Sequence, residues 1–250
     1  MVFCIRKAVF TDDHEYPENI GQQIKSLGVP IELGLPFDFY DRFQEIEQWL
    51  PRLAEDLHNH AVPCIAIHAP EGPCVTYEPE DFLSWAHTIG ELSNSVGARV
   101  IVLHPTRVTI MDDGESLGLL LDNIKALQRE AAGTVVVETF IGGAYFGYKR
   151  IAAKGLPLCL DTSHMGHKDA ITLVEKRHDQ IKHVHLSEAR DRVTHTPVGE
   201  QGQAVMKRLA ALQWDGTVCI EYLDRYADEM IRDCERLAGL FHGSSGSEGS

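Results

Sequence analysis

The segment P-L-C-L-D-T-S-H, residues 157–164, carries the clearest chemical signal in the sequence. Its apolar part is typical of a short buried strand that ends on Asp161, and His164 follows three residues later. A carboxylate at a strand end and an imidazole one turn later can present two metal ligands to one cavity. The same residues could instead form a helix cap, in which Asp161 or Thr162 accepts hydrogen bonds from free backbone N–H groups. The motif alone leaves both interpretations open.

Other apolar runs in the chain end in the same way. Five of them close on histidine or glutamate, at His68, His104, Glu138, His185 and Glu221. A carboxylate that closes a run of β-branched residues is costly to bury unless it is paired or bound to a cation. Imidazole and carboxylate groups together suit Zn²⁺, Mn²⁺, Fe²⁺ or Co²⁺, and Mg²⁺ suits a carboxylate-rich position. We therefore predict that these five side chains and Asp161 converge on one metal-binding cavity.

The order of the runs along the chain suggests two neighbouring ion positions. The first would be enclosed by side chains from four consecutive strands, Glu138, Asp161, His185 and Glu221. The second would be held by His68 and His104, with Glu138 as a bridge. His183 has the same strand parity as His185 but lies one step deeper, so we expect it to support the ligands rather than to bind metal.

These side chains must be positioned by the regular elements between them. Eight nearly continuous apolar runs are typical of parallel strands that are covered on both faces, at residues 2–9, 30–35, 64–68, 100–104, 134–138, 158–161, 181–186 and 217–221. Apolar residues at spacings of three and four predict helices between the strands, at residues 17–27, 43–57, 82–96, 117–127, 146–153, 169–178, 201–212 and 230–241.

The alternation of strands and helices predicts the fold. Repeated eight times without a break in composition, it is typical of an α/β protein with a single (β/α)8 barrel of the TIM type, here over residues 1–242 as one catalytic domain. An open doubly wound sheet would need a glycine-rich turn after the first strand, where this chain has T-D-D-H-E-Y. Residues 243–250, GSSGSEGS, form a flexible tail outside the fold. Barrels of this kind place their chemistry at the carboxyl ends of the strands.

Composition narrows the class of protein. The formal charge of −14 argues against a general binder of polyanions. The six cysteines contain no C-x-x-C pair, which suits a reducing cytoplasm without a disulfide framework. No apolar run reaches the length of a membrane span, and the start of the chain becomes polar too soon for a signal peptide. We predict a cytoplasmic protein and leave its oligomeric state open.

Several motifs together resemble the xylose isomerase-like TIM-barrel superfamily. They are His68, His104, Glu138, C-L-D-T-S-H at 159–164, H-L-S-E at 185–188 and H-T-P-V-G-E at 195–200. The resemblance spans the third to the eighth strand. The superfamily includes metal-dependent isomerases and epimerases of sugars and sugar phosphates, and also the endonuclease IV branch, or AP endonuclease family 2. The motifs do not decide between these branches.

The resemblance to endonuclease IV implies three zinc sites. One site would use His68, His104 and Glu138. A second would use Glu138, Asp161, His185 and Glu221, and a third would use His164 and His195. That branch carries an aspartate two residues before the last of these histidines, where this chain has Val193, and Asp191 is displaced by two residues. The departure argues against the third site. We therefore predict one or two ions, Zn²⁺ or Mn²⁺.

The resemblance to the isomerase and epimerase branch implies a different set of roles. Glu138 and Glu221 would act as base and acid on a C–H bond next to a metal-polarised carbonyl. Glu32, in the run P-I-E-L, is assigned to substrate binding, and Arg107 and Arg190 could hold a substrate phosphate. Acidic residues outnumber Lys and Arg on the predicted upper loops, which is not the pattern of a DNA groove.

The sequence thus favours a metal-dependent isomerase or epimerase of a sugar or sugar phosphate. The rival is an endonuclease IV-like zinc phosphodiesterase that acts at abasic sites in DNA, and a third possibility is a barrel that binds metal or sugar without turnover. We also expect that Glu138 and Glu221, each closing an apolar strand, take up a proton when no metal is bound, because burial disfavours the charged form.

Overall fold

The computed structural model describes residues 1–8, 19–35, 47–69, 79–104, 113–141 and 147–242. The predictions made for Arg107 and for the tail at residues 243–250 concern positions outside these ranges.

The strands of the described residues form a closed barrel and one small hairpin. In chain order they are β1 (Val2–Ala8), β2 (Ile31–Gly34), β3 (Cys64–His68), β4 (Val100–Leu103), β5 (Thr134–Glu138), β6 (Leu158–Asp161), β7 (Ile181–Leu186), β8 (Glu188–Arg190), β9 (Val193–Thr196) and β10 (Thr217–Ile220). The barrel order is β1-β10-β7-β6-β5-β4-β3-β2, and all of its pairs are parallel. The predicted (β/α)8 barrel is confirmed. The antiparallel pair of β8 and β9, which lies between β7 and the following helix, was not predicted.

Helices alternate with the barrel strands. They are α1 (Ile20–Lys25), α2 (Leu50–Asn59), α3 (Pro79–Val96), α4 (Asp113–Glu130), α5 (Tyr148–Ala152), α6 (His167–Arg177), α7 (Glu200–Ala211) and α8 (Ala227–His242), with a 3₁₀ turn at Asp224–Tyr226 before the last. Each overlaps a helix predicted from apolar spacing. Pro51 lies in the first turn of α2, where its fixed φ and missing N–H are tolerated, so it starts a helix rather than kinks one.

Two apolar layers hold these elements together. The larger one lies between the outward faces of the strands and the helices, and it includes the wholly buried Trp85. The smaller one fills part of the barrel interior with compact side chains, Ala66, Val100, Val102, Val136 and Cys159. The rest of the interior is polar, because Glu32 and His183 are also fully buried there. The barrel is therefore packed solid below the ends of its strands.

Strand register decides which side chains meet at the barrel mouth. Arg6 of β1 is level with Glu32 of β2, and Asp161 of β6 is level with His185 of β7. Residues at the same level on neighbouring parallel strands point to the same side of the sheet. The register thus brings side chains that are far apart in sequence to one face of the barrel wall.

None of the described helices combines the length and the apolar character needed to cross a bilayer. The cysteines of the described residues, at positions 4, 64, 159, 219 and 234, are buried free thiols.

A matched pair of glycines tests the packing between α3 and α4. A methyl group on Gly90 would lie 2.6 Å from Cβ of Glu130 and 2.9 Å from its backbone carbon, whereas nothing lies within 4 Å of one on Gly118. We expect Gly90→Ala to lower the free energy of unfolding by about 1–3 kcal/mol through overpacking. Gly118→Ala should raise it by up to about 1 kcal/mol through helix propensity. Urea denaturation measures both, and a Gly90→Ala protein as stable as Gly118→Ala would contradict the packing.

Candidate metal centre

Four side chains from the carboxyl ends of consecutive barrel strands converge as predicted from their positions in the sequence. The ligand atoms of Glu138, Asp161, His185 and Glu221 all lie within 4.8 Å of one another. Nδ1 of His185 is the centre of the group, at 2.9 Å from Oε2 of Glu221, 3.3 Å from Oε1 of Glu138 and 3.8 Å from Oδ2 of Asp161. All four residues are buried. We call this group the quartet.

A second group shares Glu138 with the quartet. Its other oxygen, Oε2, lies 2.7 Å from Nε2 of His104 and 3.3 Å from Nε2 of His68. Because Glu138 presents Oε1 to the quartet and Oε2 to the two histidines, its geometry is the one that a bridging ligand needs.

A third group forms although the expected aspartate is missing. Val193 lies on β9 with 36% of its surface exposed, and Asp191 lies in the exposed turn of the hairpin. The carboxylate comes instead from Asp161, whose Oδ2 lies 3.5 Å from Nε2 of His164. Ligand atoms of Asp161, His164 and His195 lie within 4.8 Å of one another. Val193 therefore does not leave this group without a carboxylate, because Asp161 supplies one from β6.

The D-T-S-H segment does not form the helix cap that was the alternative interpretation, because α6 begins only at His167 with Gly166 at its N-cap position. Oδ1 of Asp161 accepts hydrogen bonds from the backbone N–H groups of Ser163 at 2.6 Å and His164 at 3.0 Å, which caps the turn. Oδ2 of the same side chain faces the imidazoles of His185 and His164. The hydroxyl of Thr139 accepts the backbone N–H of Asp161 at 3.0 Å. The cap therefore fixes the direction in which the second oxygen points.

The pattern of missing hydrogen bonds tests whether these groups fit a cation. Four buried atoms of these groups make no well-aligned hydrogen bond within the described residues, Nε2 of His68, Oε2 of Glu138, Oδ2 of Asp161 and Oε2 of Glu221, although imidazole nitrogens of His104 and His185 lie 2.7 and 2.9 Å from the two glutamates. Nδ1 of His68 lies 3.1 Å from the carbonyl oxygen of Ala69, which places the ring proton on that side and leaves a lone pair on Nε2. Lone pairs that meet at short range in a buried site are unfavourable without a cation. Imidazole nitrogen and carboxylate oxygen suit Zn²⁺ or Mn²⁺, so the residues fit a divalent metal.

Arg6 is a charged member of the site that the sequence analysis missed. Its Nη1 lies 2.5 Å from Oε1 of Glu221 and 4.0 Å from Oε1 of Glu32, and only 15% of the side chain is exposed. Gly34 makes room for it, because a Cβ there would lie 3.1 Å from Nε of Arg6. Side chains alternate between the two faces along β1, so Arg6 points into the barrel as Cys4 does. This alternation could have identified Arg6 from the sequence.

The prediction that Glu138 and Glu221 take up a proton when no metal is bound is wrong. Burial acts to raise the pKa of Glu138, but the imidazoles of His104 and His185, chiefly the charge of His104, hold that pKa well below its usual range. Burial also acts to raise the pKa of Glu221, but Arg6 and His185 hold it below the usual range. Both carboxylates are therefore anions in the metal-free protein, because cationic neighbours outweigh desolvation.

The pKa values of His68 and His185 are shifted in opposite directions by their surroundings. Burial and the charge of Arg6 lower the pKa of His68 to about 4, so its lone pair is available at neutral pH. Burial acts to lower the pKa of His185 too, but the carboxylates of Glu32 and Glu221 raise that pKa well above its usual value. Cys159 beside it adds no charge, because burial keeps its thiol protonated. In the metal-free state His185 is therefore an imidazolium, whose proton on Nδ1 lies where an ion would bind.

The residues assigned to substrate binding lie apart from one another. Glu32 is the second residue of β2 and is fully buried between His183 and His185. Arg190 lies on β8 with 54% of its side chain exposed, 3.5 Å from Oε2 of Glu188 and 3.2 Å from the carbonyl oxygen of Pro197. These positions favour a supporting role for Glu32 and a surface role for Arg190. The assignment of Arg107 stays a prediction.

The carboxylate of Glu188, a residue of β8, lies at the N-terminus of α7. Its Oε1 accepts the backbone N–H groups of Gln201 at 2.9 Å and Gly202 at 3.3 Å, which are free donors at a helix N-terminus. Gly199 leaves room for this carboxylate, because a Cβ there would lie 2.5 Å from Oε2 of Glu188. The side chain of Gln201 donates to the carbonyl oxygens of Thr162 and Met165, which ties α7 to the turn that carries Asp161.

The raised pKa of His185 gives metal binding a definite pH dependence. An ion at the quartet must displace the proton from Nδ1, so we expect release of one proton and an apparent dissociation constant that falls about tenfold per pH unit as long as the pH is below the raised pKa of His185. The proton stabilises the metal-free fold fully below about pH 6.5, and that stabilisation is lost as pH rises through the raised pKa. Calorimetric titration of Zn²⁺ or Mn²⁺ in buffers of different ionisation enthalpy measures the proton count. A pH-independent affinity without proton release would contradict the protonation assigned to His185.

Comparisons with known proteins place this geometry in a family. A family model described as a xylose isomerase-like TIM barrel matches residues 23–238. None of the curated proteins matches the chain significantly.

Solved structures share the fold at low sequence identity. The 3-keto-D-glucoside 4-epimerase YcjR from E. coli, in its apo form, aligns with a TM-score of 0.66 at 15% identity, over 96% of this chain and 99% of that one. Endonuclease IV from Thermus thermophilus aligns with a TM-score of 0.63 at 14% identity, over 96% and 100%. The IolI protein with a bound zinc atom aligns with a TM-score of 0.68 at 14% identity, over 99% and 100%. At these identities the structures show a common fold and no more, but the family model covers most of the chain, and this protein belongs to the xylose isomerase-like TIM barrel family.

Proposed function

We propose that this protein is a divalent-metal-dependent isomerase or epimerase of a sugar or sugar phosphate. The observation that carries the proposal is the arrangement of the quartet, in which Glu138 and Glu221 approach the same nitrogen of His185 at 3.3 and 2.9 Å. Two carboxylates beside one cation position can act on a substrate held between them. The epimerase activity in the name of the YcjR structure supports the same reaction class.

Glu138 and Glu221 would have different roles in proton transfer, because they differ in how open they are to a substrate at the barrel mouth. A divalent ion bound by the quartet supplies polarisation of a substrate carbonyl, which acidifies the neighbouring C–H bond. Glu138 is 1% exposed and also contacts His68 and His104, whereas Glu221 is 9% exposed and faces the barrel mouth beside His195. Glu221 is therefore the group that moves the proton at the substrate carbon. Glu138 holds the opposite side of the site and completes the acid–base pair.

Arg6 sets a limit on what Glu221 can deprotonate. Its guanidinium holds the pKa of Glu221 below the usual range, so this carboxylate is a weak base. Proton transfer is efficient when the acidities of donor and acceptor are close, so Glu221 accepts a proton only from a strongly acidified C–H bond. Carbon next to a polarised carbonyl meets this requirement, and unactivated carbon does not. Arg6 thus favours substrates with a carbonyl or a masked carbonyl group.

A second candidate is a zinc phosphodiesterase of the endonuclease IV type. The observation in its favour is the third group, because Asp161, His164 and His195 come together without the expected aspartate. Three metal-binding groups in one mouth also suit hydrolysis of a phosphodiester. Against it stand the net charge of −14 and the pairing of Arg190 with Glu188, which removes a cation that could contact DNA phosphates.

Solvent exchange tests the isomerase proposal. With Zn²⁺ or Mn²⁺ bound, we expect deuterium to enter the carbon-bound position of an active substrate from a panel of ketoses and ketose phosphates, measured by NMR. Glu221→Gln should slow this exchange by about 10²–10⁴-fold, since the amide cannot accept the proton. His195→Ala should have a milder effect, and Glu200→Gln, an exposed glutamate at the start of α7, is the matched control. If Glu221→Gln exchanges at the wild-type rate with its metal still bound, Glu221 is only a ligand.

A nicking assay separates the two candidates. We expect no incision of a duplex with one abasic site by the zinc-loaded protein at physiological salt, because the chain is strongly acidic. Metal content measured on the same preparation ensures that a negative result does not come from an empty site. Salt-sensitive incision that His164→Ala abolishes would support the phosphodiesterase and overturn the isomerase proposal.

A further inference from the structure

A line of buried polar side chains runs from the quartet down into the barrel. Glu32 of β2 accepts hydrogen bonds from Nε2 of His185 at 3.2 Å and from Nε2 of His183 at 2.7 Å. Nδ1 of His183 lies 2.5 Å from Oγ1 of Thr217, the first residue of β10. Glu32, His183 and His185 are completely buried, and Thr217 is 6% exposed. These groups therefore depend on one another for their hydrogen bonds.

The carboxylate of Glu32 assigns a direction to each hydrogen bond, because it can only accept. The single proton of a neutral His183 ring must therefore be on Nε2, and Nδ1 accepts the hydroxyl of Thr217, which lies 2.5 Å away, nearer than the carbonyl oxygen of Lys182 at 3.5 Å. His183 then carries its proton on Nε2 and donates it to Glu32. A carboxylate only accepts, so the Nε2 atom of His185 that faces Glu32 must be protonated as well.

We infer that Glu32 is a positioning residue that fixes the tautomer and the orientation of His185. With Nε2–H donated to Glu32, the lone pair of a metal-bound His185 must lie on Nδ1, the atom that faces the rest of the quartet. Metal-ligating histidines commonly give their second N–H to such a partner. Thr217 and His183 act one step further away, because they keep Glu32 in place and hold its other hydrogen bond.

This role differs from the substrate contact assigned to Glu32 from the sequence. A side chain with no exposed surface, enclosed by His183 and His185, offers a substrate no atom to bind. The inference rests on the proposed function only in requiring that a metal binds at His185. It does not require that any particular sugar is turned over.

The experiment measures zinc affinity and histidine tautomers together. Zn²⁺ is titrated against a competing chelator at fixed pH, and ¹⁵N-histidine NMR of the zinc-loaded protein reports which ring nitrogen of His185 carries hydrogen. We expect wild type to show Nδ1 bound to zinc and Nε2 protonated. Glu32→Gln keeps the size of the side chain but replaces one carboxylate oxygen by an amide NH2 group, which donates hydrogen bonds and cannot accept them. This substitution should weaken zinc binding about 10- to 100-fold. It should also populate the second tautomer of the His185 ring, which appears as a second set of ¹⁵N signals.

Thr217→Val provides a milder change far from the zinc ligands. It removes the hydroxyl that donates to Nδ1 of His183, and we expect a loss of zinc affinity of about tenfold, at the low end of the effect of outer partners. Thr88→Val is the matched control, because Thr88 is also a buried threonine whose hydroxyl donates to one side chain, Glu47, on the outer layer. It should leave zinc affinity and the His185 signals unchanged.

Several outcomes would overturn the inference. One is a folded Glu32→Gln protein with wild-type zinc affinity and an unchanged His185 tautomer. If Glu32→Gln does not fold, Thr217→Val decides, and equal zinc affinity in Thr217→Val and Thr88→Val counts against the inference. Zinc bound through Nε2 of His185, or zinc binding that leaves His185 signals unmoved, also excludes it. Absence of sugar turnover with the expected affinity losses would instead refute the proposed function and leave the role of Glu32 intact.

Discussion

Repulsion among buried carboxylates is the constraint on which the rest of this structure depends. Glu32, Glu138, Asp161 and Glu221 all approach His185, and none of them is more than 9% exposed. Like charges at such distances in a poorly solvated site are strongly unfavourable unless cations lie between them. The chain supplies Arg6 and the protonated His185, and a divalent ion would replace the proton of His185 at the centre. The same side chains that could hold an ion therefore also decide the electrostatic stability of the barrel mouth.

Only a closed barrel can bring these groups together. The charges come from β1, β2, β5, β6, β7 and the residue after β10, which are neighbours in a ring although Arg6 and Glu221 are 215 positions apart in sequence. The compact apolar side chains inside the barrel leave a floor beneath the site, and the Glu32–His183–Thr217 network forms the polar part of that floor. Any change in strand register would separate Arg6 from Glu32 and Asp161 from His185.

The sequence predicted most of the fold and which strand-end side chains meet at the barrel mouth, because both depend on local patterns. Apolar runs that end on His or Glu are readable one strand at a time, and the barrel then requires those ends to meet. Arg6 escaped notice because a basic residue near the end of a first strand is also typical of an exposed position. The ionisation of Glu138 and Glu221 was predicted wrongly for the same reason, since it depends on partners from distant strands. The carboxylate that Asp161 gives to the third group, and the β8–β9 hairpin, likewise depend on spatial neighbours that no local pattern reveals.

The carboxylate of Glu188 at the start of α7 has a consequence for the choice of substrate. Helix N-termini at this end of a barrel are places where phosphate groups often bind, because their backbone N–H groups are free and the helix dipole is favourable. Here the protein has filled that position with an anion of its own, in contact with the N–H groups of Gln201 and Gly202. An incoming phosphate would meet a negative charge there instead of open donors. For the sugar substrates proposed above, the built-in carboxylate would therefore discriminate by charge, since an unphosphorylated sugar would meet no such repulsion and a phosphorylated one would have to direct its phosphate away from α7.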